Sequence, residues 1–327
     1  MTRLRLEKVS LFLCLFVESS FGGKIRMKNL FPRAVVFKVK DEREWRKNMT
    51  IPEHTIIGLS LLVLILIGVR IWLQIRFGNK APKRKSEWDI GVSKTIGDRE
   101  IQEDEYGICE TEDGLMAIVA DGMGKHFGGK IASRIVVETF QEIFQDRSSF
   151  YNPQYSFRKA FQGANREILN KMENGQGTAS AAAVMIKDRR LYYAVVGNVQ
   201  VAVYRKQELV PVSSGHTVHM LAKQKYEEGK LTKQEAVSLL GQHRLYNFIG
   251  QDGFHNIEFF DTPIQLYGGE YVVVMTDGLY ETARWKDMED CLEEEGSCQE
   301  KAFGLVELVN RSMEEDRDNA AVVVVRC

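Results

Sequence analysis

Residues 191–204 read LYYAVVGNVQVAVY, and their pattern separates the main fold classes. They contain two apolar runs, Leu191–Val196 and Val199–Tyr204, whose β-branched and aromatic residues are typical of strands. Gly197 and Asn198 alone separate the runs, which leaves no room for the helix that connects parallel strands. We therefore expect the two strands to pair in antiparallel orientation, and we predict an α+β fold rather than a doubly wound parallel sheet.

The same kinds of pattern continue on both sides of this stretch. Further strands are predicted at four apolar runs: Leu115–Ala120, Ala181–Ile186, Tyr271–Met275 and Ala320–Val325. Helices are predicted at four segments: residues 135–143, residues 157–172, Thr232–Leu240 and Glu300–Met313. Residues 88–327 therefore mix short apolar strands with amphipathic helices.

Acidic residues stand where several predicted strands begin or end. The positions are Asp121-Gly122 after Leu115–Ala120, Asp277-Gly278 after Tyr271–Met275, Asp318-Asn319 before Ala320–Val325, and Glu103-Asp104 near Arg99. Hard cations such as Mg²⁺ and Mn²⁺ take oxygen ligands, usually a few carboxylates together with waters. A single Asp-Gly is more often a turn than a ligand, so each position alone is a weak signal.

The order of these pieces along the chain is more specific than any one of them. The pieces are Arg99-x-x-Gln102-Glu103-Asp104, Val119-Ala120-Asp121-Gly122-Met123-Gly124, Thr276-Asp277-Gly278 and Asp318-Asn319. Over about residues 88–327 the pattern resembles the metal-dependent protein phosphatases, the protein phosphatase 2C family, and especially its bacterial branch. The resemblance implies a four-layer α-β-β-α sandwich of two antiparallel sheets flanked by helices. It also implies hydrolysis of phosphoserine and phosphothreonine by a metal-activated water.

The resemblance assigns roles to individual residues. It implies two Mn²⁺ or Mg²⁺ ions held by Asp121, which bridges them, the Gly122 carbonyl, Asp277 and Asp318. Glu103 would hold metal-bound waters, and Asp104 would orient the groups around it. Arg99 would grip the substrate phosphate, a role that suits a planar and permanently charged guanidinium.

Two departures from the family pattern affect the outer parts of the site. Many members carry Gly-Asp-Ser-Arg where this chain has Gly197-Asn198-Val199-Gln200, so Asn198 replaces an Asp of the family's third metal site. Glu281 could supply a carboxylate there, but alone it would bind a metal poorly. Met123 stands where some members have a His that is proposed as general acid. The alternative function is therefore a catalytically weak phosphatase-like domain that serves as a binding or sensing module.

The N-terminal part of the chain has a different charge from the rest. Residues 1–88 carry 18 Lys+Arg and 7 Asp+Glu, a net +11, whereas the remainder carries 26 and 38, a net −12. Residues 55–75 are mostly aliphatic and long enough to predict a transmembrane helix. The basic linker at residues 76–87 then predicts, by the positive-inside rule, that the following domain is cytoplasmic.

The predicted domain organisation has four parts. Residues 1–54 are an N-terminal extension, of which residues 1–48 precede the true start if translation begins at Met49. Residues 55–75 span the membrane, residues 76–87 are a juxtamembrane linker and residues 88–327 are the catalytic domain. We expect a single-pass protein of the cell membrane, and the five scattered Cys agree with reduced thiols in the cytosol. The expected partners are phosphorylated proteins, the membrane and a cognate protein kinase, while a net charge of −1 argues against nucleic acid.

Overall fold

The computed structural model describes residues 58–70, 88–172, 176–239 and 244–327. Contacts divide the chain into two units, Met1–Pro82 and Lys83–Cys327. Residues 58–70 are helical. Across the described residues, no helix combines the length and the apolar character needed to cross a bilayer. The predicted extension and linker, and both ends of the predicted membrane helix, lie outside the described residues, so these assignments stay predictions.

Within the described part of the second unit the structure has eleven strands and seven α-helices. The strands are β1 (Asp89–Thr95), β2 (Glu105–Thr111), β3 (Gly114–Gly124), β4 (Gly177–Lys187), β5 (Arg190–Val196), β6 (Gln200–Arg205), β7 (Glu208–Pro211), β8 (Glu258–Phe259), β9 (Ile264–Gln265), β10 (Tyr271–Met275) and β11 (Ala320–Arg326). The helices are α1 (Gly128–Phe144), α2 (Pro153–Lys171), α3 (Val218–Glu227), α4 (Lys233–Leu239), α5 (Asp277–Tyr280), α6 (Trp285–Glu293) and α7 (Cys298–Arg311). Every strand and helix predicted within residues 88–327 is present, with shifted ends.

The strands form two antiparallel sheets. The first has the order β1-β11-β10-β6-β7, and the second has the order β2-β3-β4-β5-β8, with β9 also paired to β5. Helices α1 and α2 pack against the second sheet, and α7 packs against β1 and β11 of the first. The predicted α+β architecture of two antiparallel sheets flanked by helices is therefore confirmed.

The predicted pairing of β5 with β6 is wrong. Strand β5 pairs with β4 and β8, whereas β6 pairs with β10 and β7, so the connection between them passes from one sheet to the other. Gly197 makes this crossing possible, because its φ is +92° and a Cβ there would lie 2.0 Å from Oγ of Ser180. So short a connection, three residues between Val196 and Gln200, excludes a parallel crossover but does not require a hairpin.

The central strands are apolar on both faces because each face meets a different core. In β11, Ala321, Val323 and Val325 face the core between the sheets. The alternating residues Ala320, Val322 and Val324 belong to a second core with α6 and α7. A strand that is buried on both faces appears in the sequence as a continuous apolar run. This arrangement holds the ends of β10 and β11, where the acidic residues lie, in a fixed position.

Candidate metal and phosphate site

Strand β3 extends past the end that the sequence predicts. The predicted end is Ala120, but the strand continues to Gly124 and keeps its pairing with β4 over Asp121 and Gly122. Asp121-Gly122 is therefore part of a strand and not a turn. Only glycine fits at position 122, since a Cβ there would lie 2.1 Å from the carbonyl oxygen of Gly129 in α1.

Asp277 and Asp318 lie at the same end of two neighbouring strands. Asp277 is the first residue of α5 and follows β10 after one residue, while Asp318 lies two residues before β11. The two strands pair with Met275 opposite Val322, which brings their adjoining ends together. Gly278 allows a close approach here, because a Cβ would lie 2.0 Å from the carbonyl oxygen that precedes β11.

The loop that carries Arg99 is held against the loop that carries Asp318. Asp98 accepts hydrogen bonds from the backbone N–H, Nε and Nη2 of Arg317 at 3.0, 2.9 and 2.7 Å. Arg99 donates from Nε and Nη2 to the two carboxylate oxygens of Asp318, at 3.0 and 3.2 Å. Its Nη1 lies 3.3 Å from Oδ1 of Asp316. The predicted phosphate-binding residue therefore pairs with a predicted metal ligand.

Glu103 lies at the N-terminal end of α1. Its backbone N–H donates to Oδ1 of Asn319 at 2.7 Å, and its carbonyl oxygen accepts from Oγ of Ser133 at 2.5 Å. Burial raises the pKa of its carboxyl, while hydrogen bonds from the backbone N–H groups of Lys130 and Gly129 oppose that rise. The buried Oε1 has no hydrogen-bond partner. Glu103 is thus a fixed carboxylate with one unused acceptor.

Asp104 is buried and links the same loop to the first sheet. Its Oδ2 accepts from Oγ1 of Thr276 at 2.8 Å, and that hydroxyl oxygen accepts from the backbone N–H of Ala321 at 2.8 Å. Burial raises the pKa of Asp104 to about 8, and the negative charges of Asp277 and Asp318 contribute to the rise. The side chain therefore positions the loop on the ends of β10 and β11.

The carboxylates influence one another strongly. Burial raises the pKa of Asp121 well above its usual range, and four neighbouring carboxylates add to the effect: Asp277, Asp104, Asp318 and Glu103. Burial raises the pKa of Asp277 to about 7, with Glu281 as the next cause. Carboxyl groups gathered in a partly buried place remain ionised only when positive charge lies nearby.

This donor set fits divalent cations. Within the described ranges, no three or more His, Cys, Asp or Glu side chains converge closely enough to make a ready-built metal cage. Mg²⁺ needs no such cage, because it keeps several waters and binds through one or two carboxylates. The mutually repelling carboxylates and the unused Oε1 of Glu103 are the oxygen donors that Mg²⁺ and Mn²⁺ prefer. Asp121, Gly122, Asp277, Asp318 and Glu103 would hold them.

A third cation does not fit beside Asn198. The side-chain Nδ2 of Asn198 donates a hydrogen bond to Oδ2 of Asp277, and the backbone carbonyl oxygen of Asn198 accepts from Tyr280 Oη at 2.7 Å. A cation bound to this oxygen of Asp277 would need an oxygen ligand from position 198. Asn198 instead directs an N–H group at Asp277. Glu281 lies close enough to raise the pKa of Asp277, but it is a single carboxylate.

Three polar residues support the site although the sequence motifs assign no role to them. They are Ser133, Thr276 and Asn319. Thr276 and Asn319 stand directly beside the predicted ligands, and a buried polar residue next to a ligand is the signal that could have identified them. Ser133 has no such signal, because its contact with Glu103 joins residues 30 positions apart.

Comparison with known proteins identifies the group to which this chain belongs. The sequence profile of the family described as protein phosphatase 2C matches residues 93–310. The chain belongs to the protein phosphatase 2C family. It is a protein-serine/threonine phosphatase, as its named relatives are. The profile begins at residue 93 and therefore concerns the second unit of this phosphatase.

Several bacterial phosphatases are similar to it. Serine/threonine phosphatase stp of Listeria welshimeri is 28% identical over 237 residues, which cover 69% of this chain and 90% of the relative. Protein phosphatase PhpP of Streptococcus pneumoniae is 25% identical over 213 residues, which cover 64% and 85%. The serine/threonine phosphatase structure of S. agalactiae has a TM-score of 0.63 at 25% identity and covers 73% of this chain and 99% of its own.

Proposed function

We propose that this phosphatase hydrolyses phosphoserine and phosphothreonine in proteins with two bound Mn²⁺ or Mg²⁺ ions. The observation that carries the proposal is the convergence of Asp277, Asp104, Asp318 and Glu103 around the buried Asp121; burial raises the pKa of Asp121, and these four negative charges add to the rise. A more distant protein with the same fold, phosphatase PstP, has been crystallised with two manganese ions; it is 20% identical, with a TM-score of 0.57 and coverage of 73% of this chain.

The proposed ligands have distinct positions. Asp121 lies in β3 of one sheet, while Asp277 and Asp318 lie at strand ends of the other. Asp121 and the Gly122 carbonyl would hold the ions together with these strand-end carboxylates, and Glu103 would act through water. When bound, such ions lower the pKa of a water molecule and neutralise charge on a phosphoryl group.

Arg99 would bind the phosphate of the substrate. Its side chain is 42% exposed, and the two-donor fork that now holds Asp318 matches two phosphoryl oxygens equally well. The pairing of Asp98 with Arg317 fixes the loop beneath it. Arg99 can therefore turn from Asp318 to phosphate without movement of the backbone. Asp104, held by Thr276, keeps the same loop in place from inside.

We also propose that the protein is a single-pass protein of the cell membrane with its phosphatase domain in the cytoplasm. The support is the apolar sequence of residues 55–75, the basic residues 76–87, and the exposed aliphatic side chains of the described helix at residues 58–70, such as Leu59 and Leu66. Carbonate extraction of cell membranes tests this: the full chain should stay in the pellet. Release of the protein by carbonate would contradict membrane insertion.

A direct assay separates the enzyme from the alternative of a catalytically weak sensing module. The full chain, solubilised in detergent, is given a phosphothreonine peptide with Mn²⁺, with Mg²⁺ or with chelator. We expect phosphate release with at least one metal and none with chelator, and re-addition of metal should restore it. Absence of turnover with every metal would favour the sensing module. A cognate protein kinase is expected because the substrates must first be phosphorylated.

A further inference from the structure

An aromatic ring is exposed at the protein surface next to the carboxylate site. Phe127 lies in the turn between β3 and α1 and is 60% exposed. Ile131, one helical turn further on, is 45% exposed, and its backbone N–H donates to the carbonyl oxygen of Phe127 at 3.0 Å. Residues four apart lie on the same face of a helix, so the two side chains form one small apolar surface. We call these two residues the Phe127 patch.

The backbone beneath the patch is fixed. The N–H of Gly128 donates to the carbonyl oxygen of Lys125 at 2.9 Å, which closes a tight turn around Phe127. The N–H of Lys125 in turn donates to the carbonyl oxygen of Gln176 at 3.1 Å. Gly128 packs closely on the same segment, because a Cβ there would lie 2.0 Å from that oxygen of Gln176. The exposed ring is therefore presented by an ordered turn, and a ligand binds it without first having to order the backbone.

The patch is within reach of a peptide whose phosphate occupies the proposed catalytic centre. Gly129 lies against that centre, since a Cβ there would be 2.5 Å from Oε1 of Glu103. A further two residues of chain span at most about 7 Å, so the Cα of Phe127 lies within about 11 Å of that oxygen. An extended peptide advances about 3.3 Å per residue. A residue about two to four positions from the phosphorylated one can therefore contact the patch.

Two lysines bring positive charge to the border of the patch. Lys125 and Lys130 are exposed, and no described acidic side chain pairs with either of them. By contrast, Arg134 on the next turn of α1 pairs with Glu138 at 2.7 Å. A ligand that combines an apolar side chain with a carboxylate complements this surface. A second copy of the chain does not, because two positively charged patches would repel each other.

We propose that the Phe127 patch binds an apolar side chain of the substrate, about two to four residues from the phosphorylated residue, in a segment that also carries an acidic residue. The inference rests on the proposed function, because the same peptide carries the phosphate to the carboxylate site. The patch takes no part in the hydrolysis; it determines which phosphorylated segments bind well. Contact between the ring and an apolar side chain removes area of both from water, which favours binding.

Two series of phosphothreonine peptides test the proposal with the full chain and Mn²⁺. In the first, a single Leu is placed at each position up to four residues on either side of the phosphothreonine, with Ala elsewhere, and an all-Ala peptide is the reference. One position should raise kcat/KM about tenfold over the reference, the gain expected from partial burial of two apolar side chains. Equal rates at all Leu positions would overturn the inference and leave the proposed function intact. Hydrolysis of no peptide would count against the proposed function itself.

The second series tests the charge preference. A Glu or a Lys is added beside the preferred Leu, and the Glu peptide should be hydrolysed faster because it meets Lys125 and Lys130. The difference should shrink at high salt, since both lysines are exposed and their charges are screened. Faster hydrolysis of the Lys peptide would contradict the proposed acidic neighbour.

A matched pair of variants locates the effect. Phe127→Ala removes the ring from the patch, and Phe303→Ala removes an equally exposed ring, at 59%, from α7 on the other sheet. The readout is the ratio of kcat/KM for the preferred Leu peptide to that for the all-Ala peptide within each variant, so a general loss of activity cancels. The ratio should fall towards one in Phe127→Ala and keep the wild-type value in Phe303→Ala. An unchanged ratio in Phe127→Ala would overturn the proposal, as would a fall in its molecular mass in detergent, which would show that the patch joins two copies of the chain.

Discussion

Arg99 holds both carboxylate oxygens of Asp318, with Nε and Nη2 at 3.0 and 3.2 Å from them. Arg99 is predicted to bind phosphate and Asp318 to bind metal. Their ion pair therefore occupies both the guanidinium that would bind phosphate and the carboxylate that would bind metal. Both are substantially exposed, and an ion pair of this kind contributes at most about 1 kcal/mol. Phosphate and metal can therefore replace the pair at little cost, and the pair keeps Arg99 in position until they do.

Replacement of Arg99 should affect substrate and metal in opposite directions. Arg99→Ala removes two charge-assisted hydrogen bonds to phosphate, so KM for a phosphothreonine peptide should rise about tenfold or more. The same change frees Asp318, so the Mn²⁺ concentration for half-maximal activity should fall, by up to about fivefold. Steady-state kinetics against peptide and against Mn²⁺ measure both values. Arg99→Lys should lie between, and an unchanged peptide KM would contradict the assigned role.

A carboxylate in place of Asn198 should make stability depend on metal. Asn198→Asp exchanges the N–H donor to Asp277 for a like charge, which in chelator should cost on the order of 2 kcal/mol. For a domain of this size that corresponds to a fall in Tm of roughly 4–8 °C. Mn²⁺ should restore most of the loss, because the new carboxylate can ligate it. Thermal unfolding with and without Mn²⁺ measures this; the exposed Asn256→Asp is the control and should show no such response.

The hydroxyl of Thr276 should be needed to hold Asp104. Thr276→Val keeps the shape but leaves the buried Asp104 carboxyl and the Ala321 N–H without their partner. The expected loss is about 1–3 kcal/mol in the free energy of unfolding, measured in urea. Thr276→Ser retains the hydroxyl and should lose much less. Equal losses in the two variants would show that the methyl group, and not the hydrogen bond, stabilises this end of the sheet.

Acid should destabilise the fold through His216. Burial lowers the pKa of His216 to about 4, and its Nδ1 accepts from the backbone N–H of Gly197 at 3.1 Å, which requires a neutral ring nitrogen. The unfolded chain takes up this proton at higher pH than the folded chain. The stabilisation is therefore complete above about pH 6.5 and is lost as pH falls towards 4, by up to about 3 kcal/mol.

His216→Asn tests that pH dependence. The Asn Oδ1 can accept from Gly197 N–H in place of the ring nitrogen, but it does not titrate. Urea unfolding at about pH 7.5 and about pH 5 should show a smaller loss in the variant than in the wild type. Equal losses in the two proteins would mean that other groups cause the acid sensitivity.

The sequence identifies the central strands because they are buried on both faces, and it misses the edges. Strand β11 is almost wholly Val and Ala, whereas β1 and β2 are mostly half-buried and contain polar residues such as Lys94 and Glu105. The apolar pattern predicts neither β1 nor β2, each of which lies at one edge of its sheet. The two-residue strands β8 and β9 are too short to leave any pattern.

The candidate site could be predicted as a set of residues but not as a geometry. Local motifs indicate Glu103, Asp121, Asp277 and Asp318, and the fold brings the four carboxylates close enough to repel one another. The pairing of Arg99 with Asp318 spans 219 residues, and that of Asn198 with Asp277 spans 79. Such contacts depend on which strand ends meet, and the crossing of the chain at Gly197 shows why spacing alone cannot supply that information.

The most direct test of the account is phosphate release by Asp121→Asn, measured together with Mn²⁺ binding. The full-length variant is compared with wild type and with Asp252→Asn, which makes the same change at an exposed turn. We predict that Asp121→Asn lowers kcat at least about 100-fold and reduces the number of bound Mn²⁺ ions, whereas Asp252→Asn changes neither. Wild-type turnover by Asp121→Asn at saturating Mn²⁺ would contradict a catalytic centre built on this carboxylate.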